Sequence, residues 1–122
     1  MTKIPMTKIH YDLEERSFEF TKNVTIFCRG LPQSVSNLEY RKQVIKSSGS
    51  VGANYIEANE SLSKKDFLLR IKICRKEAKE SAYWLKLIIE TNSEEYKKIG
   101  QTLLNESIEL KKIFSSIIKK TE

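Results

Sequence analysis

Five lysines recur along one side of a single helical segment: Lys65, Lys72, Lys76, Lys79 and Lys86, with Tyr83 among them. At about 100° per residue they fall within roughly 80° of one another. Over about 30 Å of helix such a row can follow a phosphate backbone, and the Tyr83 ring can stack on a base. Residues 64–86 hold eight basic and three acidic side chains, a local net charge of +5. The competing reading is a solvated face, with Lys76 and Glu80 as an i,i+4 pair. The lysines by themselves specify no base.

Other chemistry finds less support. His10 is the sole histidine, no nucleophile sits beside a general base, and no carboxylate pair or ligand cluster recurs at metal-binding spacing. No catalytic residue, cofactor or metal is expected. Cys28 and Cys74 read as reduced, buried small hydrophobes. The stretch KSSGSVGANYIEANES, residues 46–61, invites comparison with a phosphate loop or a GxxG clamp. A phosphate loop needs a preceding strand and a closing Gly-Lys-Ser/Thr, and the clamp needs an α/β domain; neither is present. As a helix, Leu38, Ile45, Gly49, Gly52 and Ile56 form one stripe, flanked by Val44, Ser48, Val51 and Tyr55. That reading predicts inward-facing glycines that let a neighbouring helix approach closely.

Helices must carry these groups. Four Gly and two Pro in 122 residues supply too few turns for an all-β fold, and 39% hydrophobic with 31% charged residues suits a folded helical domain. Residues 1–10 read as a flexible tail containing Pro5 and a candidate second start at Met6, and residues 11–122 as one domain. The first helix is expected over 12–29, capped by Asp12, with Leu13, Ser17, Phe20, Val24 and Phe27 inward and Gly30 ending it. A capping box, Ser36 to Glu39, starts the second, which runs to Ala58. Ser63 starts the third, over 63–90, with Phe67, Ile71, Cys74, Ala78, Ser81 and Leu85 on its core face. Asn92 or Ser93 caps the fourth, which ends near Lys119 and turns Tyr96, Ile99, Leu103, Leu110, Ile113 and Ile117 inward; Gly100 within it marks a bend or a close contact. The natural solution is an all-α, antiparallel up-down four-helix bundle.

A further strip, Leu69, Ile73, Trp84 and Leu87, lies between the core and lysine faces of the third helix. It either caps a neighbouring helix or forms a subunit interface. Asn54 and Glu57, on the polar side of the second helix, contact a ligand or tie that helix to Arg70 or Arg75.

Residues 31–85 resemble the four-helix bundle family of 23S rRNA intervening-sequence proteins. The resemblance is carried by Leu31-Pro32, by Ser50, Val51, Asn54 and Glu57, and by Asp66, Phe67, Ala78 and Glu80. Where the family often ends its second helix in Ala-Glu-Gly this chain has Glu57-Ala58-Asn59, so Asn59 is expected in the left-handed C-terminal turn. Where the family often has Gly-Ser it has Lys76-Glu77. The resemblance implies an antiparallel bundle, a homopentameric ring and no enzymatic activity, and it favours the interface reading of the Trp84 strip. It suggests RNA contact without establishing it. A more distant likeness is to the accessory variability proteins of diversity-generating retroelements, basic pentameric bundles that bind a reverse transcriptase and nucleic acid.

No apolar run approaches the roughly 18 residues of a membrane span and no signal peptide is recognisable, so the expected location is the cytoplasm, without a membrane partner. Two functions stay open. One is a homo-oligomeric bundle that binds RNA or another nucleic acid through the lysine face. The other is a structural or adaptor ring that recruits a protein, its net charge of +6 serving solubility.

Overall fold

The computed structural model describes the backbone of residues 6–122 and the side chains of residues 12–122. Four helices follow one another: α1 (Met6–Arg29), α2 (Val35–Asn59), α3 (Lys64–Thr91) and α4 (Lys97–Thr121), with a single 3₁₀ turn, Glu94–Tyr96, before α4. The partners of each helix fall in number as its own residues rise, so neighbours run antiparallel. Thr21 meets Ser48 and Arg41 meets Cys28 between α1 and α2; Ser47 meets Ser81 and Asn54 meets Arg70 between α2 and α3; Ser107 meets Ala78 and Gly100 meets Ile89 between α3 and α4. Arg16 on Glu106 and Phe27 beside Gly100 close the square from α1 to α4. The chain is the up-down four-helix bundle that the patterning predicts.

The core is built as the periodicity requires. Leu13, Ser17, Phe20, Val24 and Phe27 of α1 are buried, as are Ile71, Cys74, Ala78, Ser81 and Leu85 of α3; Phe67 packs against that core half-buried. In α4, Leu103, Leu110, Phe114 and Ile118 form the centre. Tyr96, Ile113 and Ile117 pack at its margin and Ile99 is exposed, because the apolar face of α4 is rotated slightly from the expected one. The Tyr55 and Phe114 rings meet across the bundle, centroids 6.1 Å apart.

Helix boundaries differ from expectation where tertiary hydrogen bonds outrank local signals. α1 begins at Met6, directly after Pro5 in sequence, a residue type suited to a helix start. Asp12 is therefore internal and residues 6–10 of the expected tail are helical, while residues 1–5 lie outside the described residues. α2 is capped by Ser34, not Ser36: Ser34 Oγ accepts from the Asn37 backbone N–H at 3.0 Å. This start turns Asn37 inward, where its amide donates to the Pro32 carbonyl and exchanges two hydrogen bonds with the Asn92 amide, at 2.9 and 3.0 Å. Asn92 thus ends α3 rather than starting α4, and the Ser93 side chain makes no capping bond. Neither Asn59 nor Gly30 adopts a left-handed conformation; instead Arg41 reaches back to the carbonyls of Cys28 and Leu31 near the end of α1.

The glycine stretch is a helix thinned on one side, but not toward the core. The buried face of α2 is Asn37, Val44, Ser47, Ser48, Val51, Tyr55 and Ala58, while Leu38, Ile45 and Ile56 are exposed. Gly49 and Gly52 face α1, where a Cβ on Gly52 would lie 3.5 Å from Ser17 Cβ, an ordinary contact. The tight glycine is Gly100, whose Cβ would come within 2.7 Å of Ile89 Cγ1 and 3.3 Å of Phe27 Cζ. Gly52→Ala is therefore expected to stabilise by up to about 1 kcal/mol through helix propensity. Gly100→Ala gains the same propensity yet should destabilise on balance, because overpacking costs roughly 1–3 kcal/mol. Urea denaturation of both variants beside the parent checks this; the same sign for the two would contradict it.

Candidate nucleic-acid interface

α3 presents its basic side chains because its apolar residues are committed elsewhere. Ile71, Cys74, Ala78, Leu85 and Ile88 are fully buried, which leaves Lys65, Lys72, Lys76, Lys79, Tyr83 and Lys86 exposed, all where the spacing predicts. The face is lightly neutralised. Among the described residues only Lys76 of these lysines has a carboxylate within 4 Å, Glu77 at 3.9 Å. The anticipated Lys76–Glu80 pair is not formed, since Glu80 accepts from the Trp84 indole N–H at 3.4 Å.

Tyr83 is 59% exposed and its ring stands edge-on to Trp84, centroids 5.0 Å apart. Trp84 in turn lies against Tyr40 of α2 at 6.0 Å and packs onto the core. The strip read as an oligomer interface is thus divided. Trp84 caps the neighbouring helix within its own chain, Ile73 and Leu87 are half-buried, and Leu69 is 57% exposed.

Asn54 belongs to a structural network. Its amide donates to the Ser50 carbonyl at 2.9 Å and accepts from the Arg70 guanidinium at 3.0 Å, which ties α2 to α3. Glu57 is exposed at the end of α2. Glu77, on the α2 side of α3, has its pKa raised above the ordinary carboxylate value. Desolvation raises its pKa most, and Glu80 adds to it, against the lowering effects of Lys76, a hydrogen bond to Ser50, and Lys46. Burial likewise pushes the Cys28 thiol up to about 11 and the Cys74 thiol to about 12, so both are protonated and poor nucleophiles. Among the described residues no three His, Cys, Asp or Glu side chains gather to hold a metal, and no helix is long and apolar enough to cross a membrane.

The structure adds a surface that reading each helix alone does not reveal. A groove of about 760 Å³ runs between α1 and α2, floored by Ser17, Thr21, Gly49 and Gly52 and walled by Phe18, Ile26 and Ile56. Phe18 is 62% and Ile26 54% exposed. The signal in the sequence was an apolar residue on each helix lying just outside the core arc, next to the glycine stripe.

Comparison with known proteins places the geometry. A family model described as "23S rRNA-intervening sequence protein" matches residues 10–116. A crystal structure described as a protein of unknown function from the S23 ribosomal protein family of Bacteroides thetaiotaomicron is similar at 32% identity and a TM-score of 0.74. The match covers 88% of this chain and 98% of that one. No curated protein matches.

The Glu77 environment sets a pH dependence. A raised folded-state pKa means that the folded protein holds this proton to higher pH than the unfolded chain does. Stability is then greatest below the unfolded value, about 4.3 for glutamate, and declines as pH rises through the folded one. Glu77→Gln is expected to raise Tm at neutral pH and to lose that advantage in acid. Thermal melts across the pH range read this directly; a Tm unchanged or lowered at pH 7 would show that the buried charge is already compensated.

Proposed function

Because the chain belongs to the 23S rRNA-intervening sequence protein family, we propose that it is a non-enzymatic, homo-oligomeric bundle of the cytoplasm that binds RNA through the exposed lysine face of α3. The observation that carries this reading is the row Lys65, Lys72, Lys76, Lys79 and Lys86, exposed along one helix and nearly free of ion pairs among the described residues. Unpaired cations at this density repel one another and gain most from a polyanion whose counterions they release. The family's description and the ribosomal family of its structural relative point to RNA as that polyanion. The rigid helix supplies spacing, and the bundle core supplies nothing but support.

Assembly is the second part of the proposal. Leu69, Ile73 and Leu87, steadied by Trp84, and the α1–α2 groove are two separate apolar surfaces. Packing one against the other in successive copies is a heterologous contact that closes into a ring, five-membered on the family resemblance. The adaptor reading draws on the same groove, whose exposed Phe18 and Ile26 suit a protein partner.

Lys72, Lys76 and Lys79 changed together to Gln are expected to flatten the log–log salt dependence of single-stranded RNA binding by about two units, at roughly 0.7 per lost phosphate contact. Helicity and Tm should be retained. Titrations of labelled RNA at several salt concentrations measure it, and equal binding by parent and variant would favour the adaptor. For assembly, Leu69→Glu with Ile73→Glu should yield a smaller species by light scattering with helical content unchanged, because a buried unpaired charge is costly. A parent already monomeric at high protein concentration would remove the ring.

A further inference from the structure

The positive charge of the chain is concentrated in one place. Residues 67–79 of α3 and 108–120 of α4 hold nine cations and two carboxylates; the rest of the chain holds thirteen cations and fourteen carboxylates. The two stretches lie side by side, because Ser107 Oγ donates to the Ala78 carbonyl and the helices run antiparallel from that point. Both carboxylates turn away from the seam. Glu77 faces Ser50 of α2, and Glu109 faces α1, where it acts on Arg16 and lines a cleft with Glu106 and Glu19.

Through this region and beyond both ends of it, the lysines form a pattern that neither helix shows alone. On α3, Lys65, Lys72, Lys79 and Lys86 are seven residues apart; on α4, Lys98, Asn105, Lys112 and Lys119 are seven apart. In the register fixed by Ser107 and Ala78 the rows stand opposite one another, Lys65 by Lys119, Lys72 by Lys112, Lys79 by Asn105 and Lys86 by Lys98. All eight are exposed. None of the seven lysines has an ion-pair partner among the described residues. Successive rungs are about 10.5 Å apart along the helices, and packed helix axes lie roughly 8–10 Å apart. Seven-residue rows stay alongside one another in a left-handed helix pair instead of drifting round it.

We propose that these two rows form one surface for a nucleic-acid duplex, with α3 contacting the phosphates of one strand and α4 those of the other. This builds on the proposed RNA binding by α3 and specifies its ligand as paired phosphate strands. A single strand needs aromatic platforms and clefts for its unstacked bases. The ladder offers one aromatic, Tyr83, already held edge-on by Trp84, and the grooves that line α1 lie elsewhere. Two exposed rows of cations in register instead suit backbone recognition across a groove, as duplex RNA is bound by shape and phosphate contact.

Lys112→Gln with Lys119→Gln removes two of the three α4 lysines in the row and leaves α3 intact. Binding to a labelled RNA duplex, a DNA duplex of the same sequence and the single-stranded RNA is followed across a salt series. The double variant is expected to flatten the duplex slope by about two units, at roughly 0.9 per contact, and to change single-strand binding little. Lys42→Gln with Lys46→Gln, on exposed positions of α2, makes the same change in net charge and should leave the duplex slope unchanged. Preference for the RNA duplex assigns the A-form as ligand; equal binding of both duplexes assigns paired phosphates alone. The ladder is overturned if the α4 variant binds duplex like the parent, if the α2 control loses as much, or if single-stranded RNA binds as tightly as duplex. Loss through the α3 lysines alone leaves the single-row reading standing, and absence of all binding removes both.

Discussion

The arrangement of this protein depends on how closely α3 can be approached from both sides. Cys74, Ala78 and Ser81 leave the middle of its buried face with little bulk. Ser47 of α2 meets Ser81 at 2.8 Å, and Ser107 of α4 reaches the backbone carbonyl of Ala78. Buried hydroxyls must find partners, so these contacts are specific where leucine packing would be permissive. They fix the axial register of three helices within one turn. Everything displayed outside, including which lysine stands opposite which, follows from that register. Gly100, pressed against Ile89 and Phe27, extends the same close approach to the far end of the α3–α4 seam.

Much of this was legible in the sequence, for physical reasons. Burial of Leu13, Phe20 and Val24, or of Ile71, Cys74 and Leu85, follows from periodicity because each helix hides one arc. Ser63 caps α3 as expected because nothing competes with it: its Oγ accepts from the Asp66 N–H at 3.1 Å. Ser34 displaces Ser36 because the earlier start lets Asn37 pair with Asn92, fifty-five residues away, a long-range term absent from any local pattern. The stripe through Leu38, Ile45 and Ile56 misled because α2 has two adjacent arcs of similar hydrophobicity. Its mixed Ser, Gly and Val content cannot say which faces three helices and which faces α1 alone. At the candidate site, the exposure of the α3 lysines was legible from one helix. The α4 row was not, since its meaning lies in the pairing of two heptad series, and that needs the register.

The polar residues of the seams divide into those that hold the bundle and those free to act. Asn54 with Arg70, Asn37 with Asn92 and the bidentate Arg16–Glu106 pair at 2.7 Å each tie two helices together. Thr21 Oγ1 donates to the Ser48 carbonyl at 2.8 Å across the glycine-lined seam, where Ser17 Oγ is buried without a hydrogen-bond partner among the described residues. These groups are consumed by structure. What remains uncommitted is the apolar groove on α1 and α2 and the two lysine rows of α3 and α4, on different sides of the same molecule.

That segregation places the excess positive charge on one side of the bundle. A protein whose excess charge lies on one side experiences a torque in the field of a highly charged polymer. It turns before it touches, and more of its collisions arrive with the productive side leading. The effect reaches about 10 Å at 0.1 M salt and fades as ions are added. Orientation during encounter is thus written into the placement of two glutamates, Glu77 and Glu109, that point away from the seam as much as into the lysines that line it.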